Sequence, residues 1–299
     1  MTQSRKLLWY FAIVFILLII ISASLNLIFA GKDFGISKNK VEVIYVQGLM
    51  LTGSIPTGLG VATSEEITKS LKDASDDEGV RAIVMRINSP GGSPAAAEEI
   101  IAAMKKTKKP IVISMGDIAA SAAYYISVPA NKIIANPDTI TGSIGVIWEF
   151  QNRSKFYDKD GTSFYISKSG EFKDMGGDWR GLSDDEKRYA DQIIAESYAR
   201  FVTEVARDRN LSLGKVKDLA DGRVYTGAKA KELGLVDDFG SLDDAIDNAA
   251  ALGGIEGKPE VIYANKPSLA QLLFGGEKQT SQFTGYYNES PYGRLLSIS

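Results

Sequence analysis

Cysteine and histidine are both absent from this chain of 299 residues. Without thiols there can be no disulfides, thiolate nucleophiles, thiol redox chemistry or the usual structural zinc sites. Without imidazoles there can be no Ser-His-Asp or Cys-His mechanism, and the commonest transition-metal ligand is missing. A hydrolase built on this chain with a covalent step would take its nucleophile from Ser or Thr and its base from Lys or a carboxylate. A basic surplus is also lacking: 34 Lys and Arg stand against 37 Asp and Glu, a formal charge of −3. That balance argues against a nucleic-acid partner. The remaining composition, 44% hydrophobic and 24% charged, is that of a globular chain long enough for one large domain or two small ones.

Acidic residues are missing from the N-terminus as well, the first being Asp33. Leu7 to Ala30 is a nearly unbroken apolar run without a charge, preceded by Arg5 and Lys6. Its length suits a helix crossing the bilayer. The flanking cations leave the N-terminus in the cytoplasm and send the rest of the chain outward. The exported part then carries 32 cations against 37 anions. The alternative is a cleaved signal peptide, because small residues follow at Ser22, Ala23 and Ser24. The uncleaved anchor is preferred, since Leu25, Leu27, Ile28 and Phe29 continue the apolar run.

Beyond a polar linker, strands and helices alternate. Val41–Val46, Val80–Ile87, Ile111–Met115 and Lys132–Ala135 read as strands. Ser64–Ala74 reads as a helix with Ser64 as its cap, Ala95–Lys106 as a second, and Ala119–Ser127 as a third. Leu182–Arg209 is the longest helix, with a capping box at Ser183 and Glu186. Its stripe of Ala190, Ile194, Tyr198, Phe201 and Val205 predicts core or oligomer contact. The Ile- and Val-rich strands predict an α/β fold with a sheet covered on both faces. After Pro259 the pattern weakens, and Thr280–Ser299 reads as a tail or an arm packing on another surface. The expected organisation is therefore a cytoplasmic segment at 1–6, a transmembrane anchor at 7–30, a linker at 31–40, a catalytic domain at 41–257 and a tail at 258–299.

Ligands in open α/β sheets bind beyond the carboxyl ends of the strands, and two such ends stand out. Asn88-Ser89-Pro90-Gly91-Gly92-Ser93 follows the second strand, and its paired glycines can present N–H groups to an oxyanion. Gly116-Asp117-Ile118-Ala119-Ala120-Ser121-Ala122-Ala123 surrounds one Ser with tiny residues that let a substrate backbone approach. A Ser hydroxyl needs a base, and a desolvated lysine amine can serve. Lys173 sits in an irregular, Gly-flanked setting, Ser169-Gly170-Glu171-Phe172-Lys173-Asp174-Met175-Gly176, although the residues alone do not single it out.

Together these segments resemble signal peptide peptidase A, a membrane-bound Ser/Lys protease family of the ClpP/crotonase-like fold. The resemblance runs from about Val41 to Leu252. It is carried in order by Ile87–Ser93 (INSPGGS), Gly116–Ser127 (GDIAASAAYYIS), Thr141–Val146 (TGSIGV), Ser167–Gly176 (SKSGEFKDMG) and Asp221–Ile246. It implies repeated β-β-α units, Ser121 as nucleophile, Lys173 as general base and Ser143 as the hydroxyl that orients the lysine. It also implies an oxyanion hole of the Ala122 N–H with Gly92 or Gly91. No metal or organic cofactor is implied. Signal peptides and other apolar peptides are the expected substrates, the membrane is an expected partner, and nucleic acid is not one. A ring-like homo-oligomer sharing the dyad between neighbouring chains is the expected assembly. One departure is Ala122-Ala123, where the family usually has Gly-Gly. It supports one other reading, a catalytically silent peptide-binding scaffold tethered to the membrane; a second, a crotonase-type acyl-CoA enzyme, would use the same oxyanion architecture. The outward topology opposes the second.

Overall fold

A computed structural model describes Trp9, residues 13–20, 39–53 and 60–265. The chain divides into two units, one ending at Ser37 and one beginning at Lys38. In the first, residues 13–20 are helical. The anchor expected at 7–30 otherwise lies outside the described residues, and so does the Thr280–Ser299 part of the tail. Among the described residues no helix is long and apolar enough to cross a membrane.

The second unit is a mixed α/β domain. Strands β1 (Lys40–Gln47), β4 (Val80–Ser89), β5 (Ile111–Ala120), β6 (Lys132–Ala135), β9 (Asp238–Phe239) and β10 (Glu260–Ala264) form one parallel sheet in the order β10-β1-β4-β5-β6-β9. Strand β7 (Ile140–Gly142) pairs in parallel with the end of β5 and antiparallel with β8 (Val224–Thr226). A separate parallel pair joins β2 (Leu49–Leu51) to β3 (Val61–Thr63). Because the strands of a parallel sheet need crossovers, helices separate them. These are α1 (Ser64–Asp76), α2 (Pro94–Lys106), α3 (Ala122–Ser127), α4 (Ser154–Asp160), α5 (Asp184–Asp208), α6 (Leu213–Leu219), α7 (Gly227–Leu233) and α8 (Leu242–Leu252).

Alternate strand residues enter two cores, as the unbroken Ile and Val runs predict. Ile44, Ile83, Met85, Ile111 and Ile113 face Ile67 and Leu71 of α1, Ile100 and Ile101 of α2, and Phe201 and Val205 of α5. Val41, Val43, Ala82, Val84 and Val112 face Ala245, Ile246 and Ala249 of α8. Each fully buried Ile or Leu stabilises by about 1.5–3 kcal/mol relative to exposure, so the strand ends that carry polar residues rest on a rigid base.

Several boundaries depart from the sequence reading. Lys40, expected in the linker, opens β1. The cap of α1 is Thr63, whose Oγ1 accepts the Glu66 N–H, rather than Ser64. Glu260–Ala264, expected in the tail, is β10, and Lys40–Ile44 pair with it in parallel. The expected helix Ala119–Ser127 divides: Ala119 and Ala120 finish β5, and the helix begins at Ala122. Alanine favours helix intrinsically, but pairing of Ile118–Ala120 with Ile140–Gly142 overrides it.

Candidate active site

The polar loops lie where β4, β5 and β7 end. Between β4 and β5 the pairing shifts register: Ile87 opposes Met115, yet Ser89 opposes Ala119. The extra residues on β5 form a bulge, and the Asn88 side chain occupies it, its Oδ1 accepting the Ile118 N–H at 3.1 Å. A bulge of this kind bends a strand and re-aims its end. Ser121 stands at that end, one residue past β5.

Ser121 has φ +54° and ψ −124°, a conformation that side-chain-bearing residues rarely adopt. Such strain persists only where the surroundings enforce it. Here the Ser121 N–H donates to the Gly142 carbonyl at 2.9 Å, while its own carbonyl accepts the Tyr125 N–H at 2.9 Å. Tyr124 anchors α3 from the other side: fully buried, it donates its hydroxyl to the Leu235 carbonyl at 3.0 Å. Burial pushes the Tyr124 phenol well above its ordinary range, so it stays a donor. Removing this donor by Tyr124→Phe leaves a buried carbonyl unpaired, at a cost of about 1–3 kcal/mol. Denaturant unfolding of the variant checks this; an unchanged midpoint would mean that the carbonyl finds another donor.

The Asn88–Ser93 loop sits directly against Ser121. A Cβ on Gly91 (φ +106°) would lie 2.8 Å from the Ala120 carbonyl oxygen, 2.8 Å from the Ala122 nitrogen and 2.9 Å from Ser121 Cβ. Met50 of β2 clamps this loop, its N–H donating to the Gly91 carbonyl and its carbonyl accepting the Ser93 N–H, both at 2.8 Å. By sequence Gly91 and Gly92 are equal candidate donors. Hydrogen bonding separates them: the Gly91 N–H donates to buried Ser89 Oγ at 3.0 Å, whereas the Gly92 N–H has no acceptor among the described residues. Ala122 is the first residue of α3, so its N–H has no intrahelical acceptor either. Among the described residues, the N–H groups of Ala122, next to Ser121, and of Gly92, in the loop beside it, are therefore both without an acceptor. The side chains of Ala122 and Ala123 are buried within the main core.

Ser143 lies one residue past Gly142, just as Ser121 lies one past its partner Ala120. The two residues thus come directly after paired positions of neighbouring strands. Ser143 also has positive φ, +50°, and its N–H donates to the Arg223 carbonyl at 2.9 Å. Both residues are half-buried.

Lys173 stands apart. It belongs to a 3-10 turn, Glu171–Asp174, within the largely irregular stretch that links β7 to α5. It is exposed, and within this chain its amine forms no hydrogen bond or ion pair with a described residue. Ser121, Ser143, Gly91, Gly92 and Ala122 come together within one chain, but no bond links Lys173 to them. Sequence reasoning placed Asn88 and Ser89 in this loop without their roles, and missed Met50, which clamps it. It missed Thr139, and the role of Thr141 within its TGSIGV segment: their buried hydroxyls donate to the Gly116 and Ala119 carbonyls at 2.7 Å. Only spatial pairing distinguishes these from ordinary strand and turn residues. Among the described residues no group of acidic side chains could hold a metal ion.

Comparison with known proteins agrees with this architecture. The chain matches peptidase family S49 over residues 103–256 and Clp protease over residues 46–139. A Synechocystis sp. protein that carries a protease name is 40% identical over 233 residues, covering 77% of this chain and 82% of its own. An Enterococcus faecium protein named for signal peptide peptidase SppA is 41% identical over 181 residues, covering 60% of this chain and 53% of its own. Protease 4 of Salmonella typhi is 35% identical over 237 residues, covering 78% of this chain and 38% of its own. These matches establish that the chain belongs to peptidase family S49 and is a serine protease.

Proposed function

We propose that this protease is a membrane-anchored endopeptidase that degrades remnant signal peptides and other apolar peptides with a Ser121/Lys173 dyad. The observation that carries the reading is Ser121 itself, held at positive φ against the Asn88–Ser93 loop, where the N–H groups of Ala122 and Gly92 have no acceptor among the described residues. In the first step the Lys173 amine removes the hydroxyl proton as Ser121 Oγ attacks the peptide carbonyl. The carbonyl oxygen becomes an oxyanion between the two N–H groups, each typically worth about 2.7–4 kcal/mol. The Lys173 ammonium then protonates the leaving amine as the peptide bond breaks. Water, deprotonated by the same amine, attacks the acyl carbon, and Ser121 Oγ leaves and takes the proton back from the Lys173 ammonium. Ser143 orients the amine in this reading. The apolar run at 7–30 is the anchor, with the N-terminus cytoplasmic and the catalytic domain outside. That placement brings the enzyme to apolar substrates left in the bilayer.

Lys173 reaches Ser121 in this reading from a neighbouring copy within a homo-oligomeric ring. The stretch that carries it supports the arrangement, because Ile147, Phe164, Tyr165, Ile166 and Phe172 are exposed on it, Tyr165 to 93%. So many large apolar groups on one arm suit an interface better than water.

A fluorophosphonate probe tests the nucleophile. The label is expected on Ser121, located by mass spectrometry of the digested full-length protein, and an apolar fluorogenic peptide should be cut at least about tenfold faster than a charged one. A label on any other serine would overturn the assignment of the nucleophile. Equal cleavage of both peptides would overturn the substrate class.

A further inference from the structure

We propose that Arg180 is a positioning residue for Lys173, pinning the turn that carries it to the start of α5 and holding the neighbouring Asp174 carboxylate away from the lysine amine. The inference rests on the reading of Lys173 as general base.

The turn has little else to fix it. It lies in a stretch with few regular elements, where backbone ladders cannot define a side-chain position. Its fixed points are the Phe172 ring, edge-on to Tyr189 of α5 at 5.3 Å, the Lys168 amine, and a charged clamp at Arg180. The Arg180 guanidinium grips two carboxylates at once. Its Nε and Nη2 donate to Asp174 Oδ2 and Oδ1 at 3.1 and 2.9 Å. Its Nη1 and Nη2 donate to Glu186 Oε2 and Oε1 at 2.8 and 2.6 Å. Glu186 belongs to the cap of α5, its Oε2 also accepting the Ser183 N–H at 2.8 Å. The turn is thereby bolted to a helix of 25 residues through one planar group.

Exposed ion pairs usually contribute little. This one differs in geometry and burial: it is forked on both sides, and the Asp174 and Glu186 side chains are only 9% and 3% exposed. Hydrogen bonds from Arg180 hold the Asp174 carboxyl well below the usual carboxylate range and draw Glu186 down to about 2. Both carboxylates are therefore charged at neutral pH, and losing Arg180 would strand Glu186 and leave Asp174 to Lys168 alone. Lys168 adds a second cation to Asp174 at 2.7 Å and also donates to the Glu171 carbonyl at 2.8 Å. With Asp174 held by two other cations, the carboxylate next to Lys173 in sequence is not available to pair with it. A paired ammonium would be a poor base, so the clamp serves both position and availability. Lysine at position 180 would supply the charge but not the two forks.

The test uses the full-length protein with Arg180→Gln, Arg180→Lys, Asp174→Asn, Lys173→Ala and the double variant Lys173→Ala/Arg180→Gln. It measures kcat and KM on an apolar fluorogenic peptide, and assembly size. Arg180→Gln should lower kcat about 100-fold with KM nearly unchanged, the loss typical of a group misplaced by an ångström. Added guanidinium chloride at non-denaturing concentration should restore part of that loss, and Arg180→Lys should fall between. Asp174→Asn leaves the Glu186 fork and the α5 cap in place, so it keeps the inference testable if Arg180→Gln does not fold. It should lower kcat with assembly intact. In the Lys173→Ala background, Arg180→Gln should add nothing, because both act through one amine. An unchanged kcat in Arg180→Gln beside an inactive Lys173→Ala would overturn the positioning role alone. So would an equal further loss in the double variant, or a loss that tracks assembly size and resists guanidinium. A fully active Lys173→Ala would overturn the base assignment and this inference with it.

Discussion

Ser121→Ala and Lys173→Ala, each inactive alone, are expected to recover hydrolysis when unfolded and refolded together. Each single loss should be about 10⁶-fold in kcat, since members of a catalytic unit fail together. Recovery is expected from the geometry of one chain. Ser121 is held by β5, β7 and α3, whereas Lys173 is exposed on an irregular arm and bonds to none of the Ser121 surroundings. If the arm of one copy delivers Lys173 to its neighbour, each site draws Ser from one chain and Lys from the next, a head-to-tail contact that closes into a ring. Random assembly of equal amounts then leaves roughly a quarter of the sites with both groups intact. Activity near that fraction of wild type, at unchanged assembly size, is the expected result. No recovery in mixed assemblies would mean that serine and lysine come from one chain and that the arm must fold back.

How far the sequence reaches can be judged at particular residues. The strands β1, β4 and β5 and helices α1, α2 and α5 are legible because long runs of Ile and Val, or a stripe such as Ala190 to Val205, carry a period. Strands β2, β3 and β7 to β10 are two to five residues long, too short to show one. Ala119 and Ala120 mislead because propensity points to helix while a neighbouring strand claims them. At the site, tiny residues mark Ser121, but they carry no trace of its positive φ. The choice between Gly91 and Gly92 depends on whether one hydroxyl, Ser89 Oγ, takes an N–H, a fact of space rather than order. The Arg180 clamp is hidden for a related reason. Arg180, Asp174 and Glu186 are spaced like any surface charges, and only the bend of the chain after the turn brings two carboxylates to one guanidinium.

Gly91→Ala is expected to remove activity through crowding, by about 10²–10³-fold in kcat, while most of the fold survives. Two effects act at this position and they can be separated. The first is backbone strain: at φ +106° an alanine is disfavoured, and the variant should lose upwards of about 1 kcal/mol of stability. The second is local. The new methyl would fall within 3 Å of the Ala120 carbonyl oxygen, the Ala122 nitrogen and Ser121 Cβ. Those atoms are backbone and the root of the proposed nucleophile, so nothing flexible can yield, and the serine and the Ala122 N–H must shift. Displacing one oxyanion donor accounts for the expected loss. Gly254→Ala is the control. Gly254 also has positive φ, +66°, but a Cβ there would meet nothing within 4 Å, and it comes after α8 at the opposite end of the sheet. It should share the stability loss and keep wild-type kcat. If the two variants lose activity alike, strain alone is responsible. If Gly91→Ala keeps full activity, the contact between the Asn88–Ser93 loop and Ser121 does not set the geometry of the reacting carbonyl, and the donor pair of Gly92 and Ala122 would have to be abandoned. The decisive comparison is kcat of both variants in material matched for folded fraction.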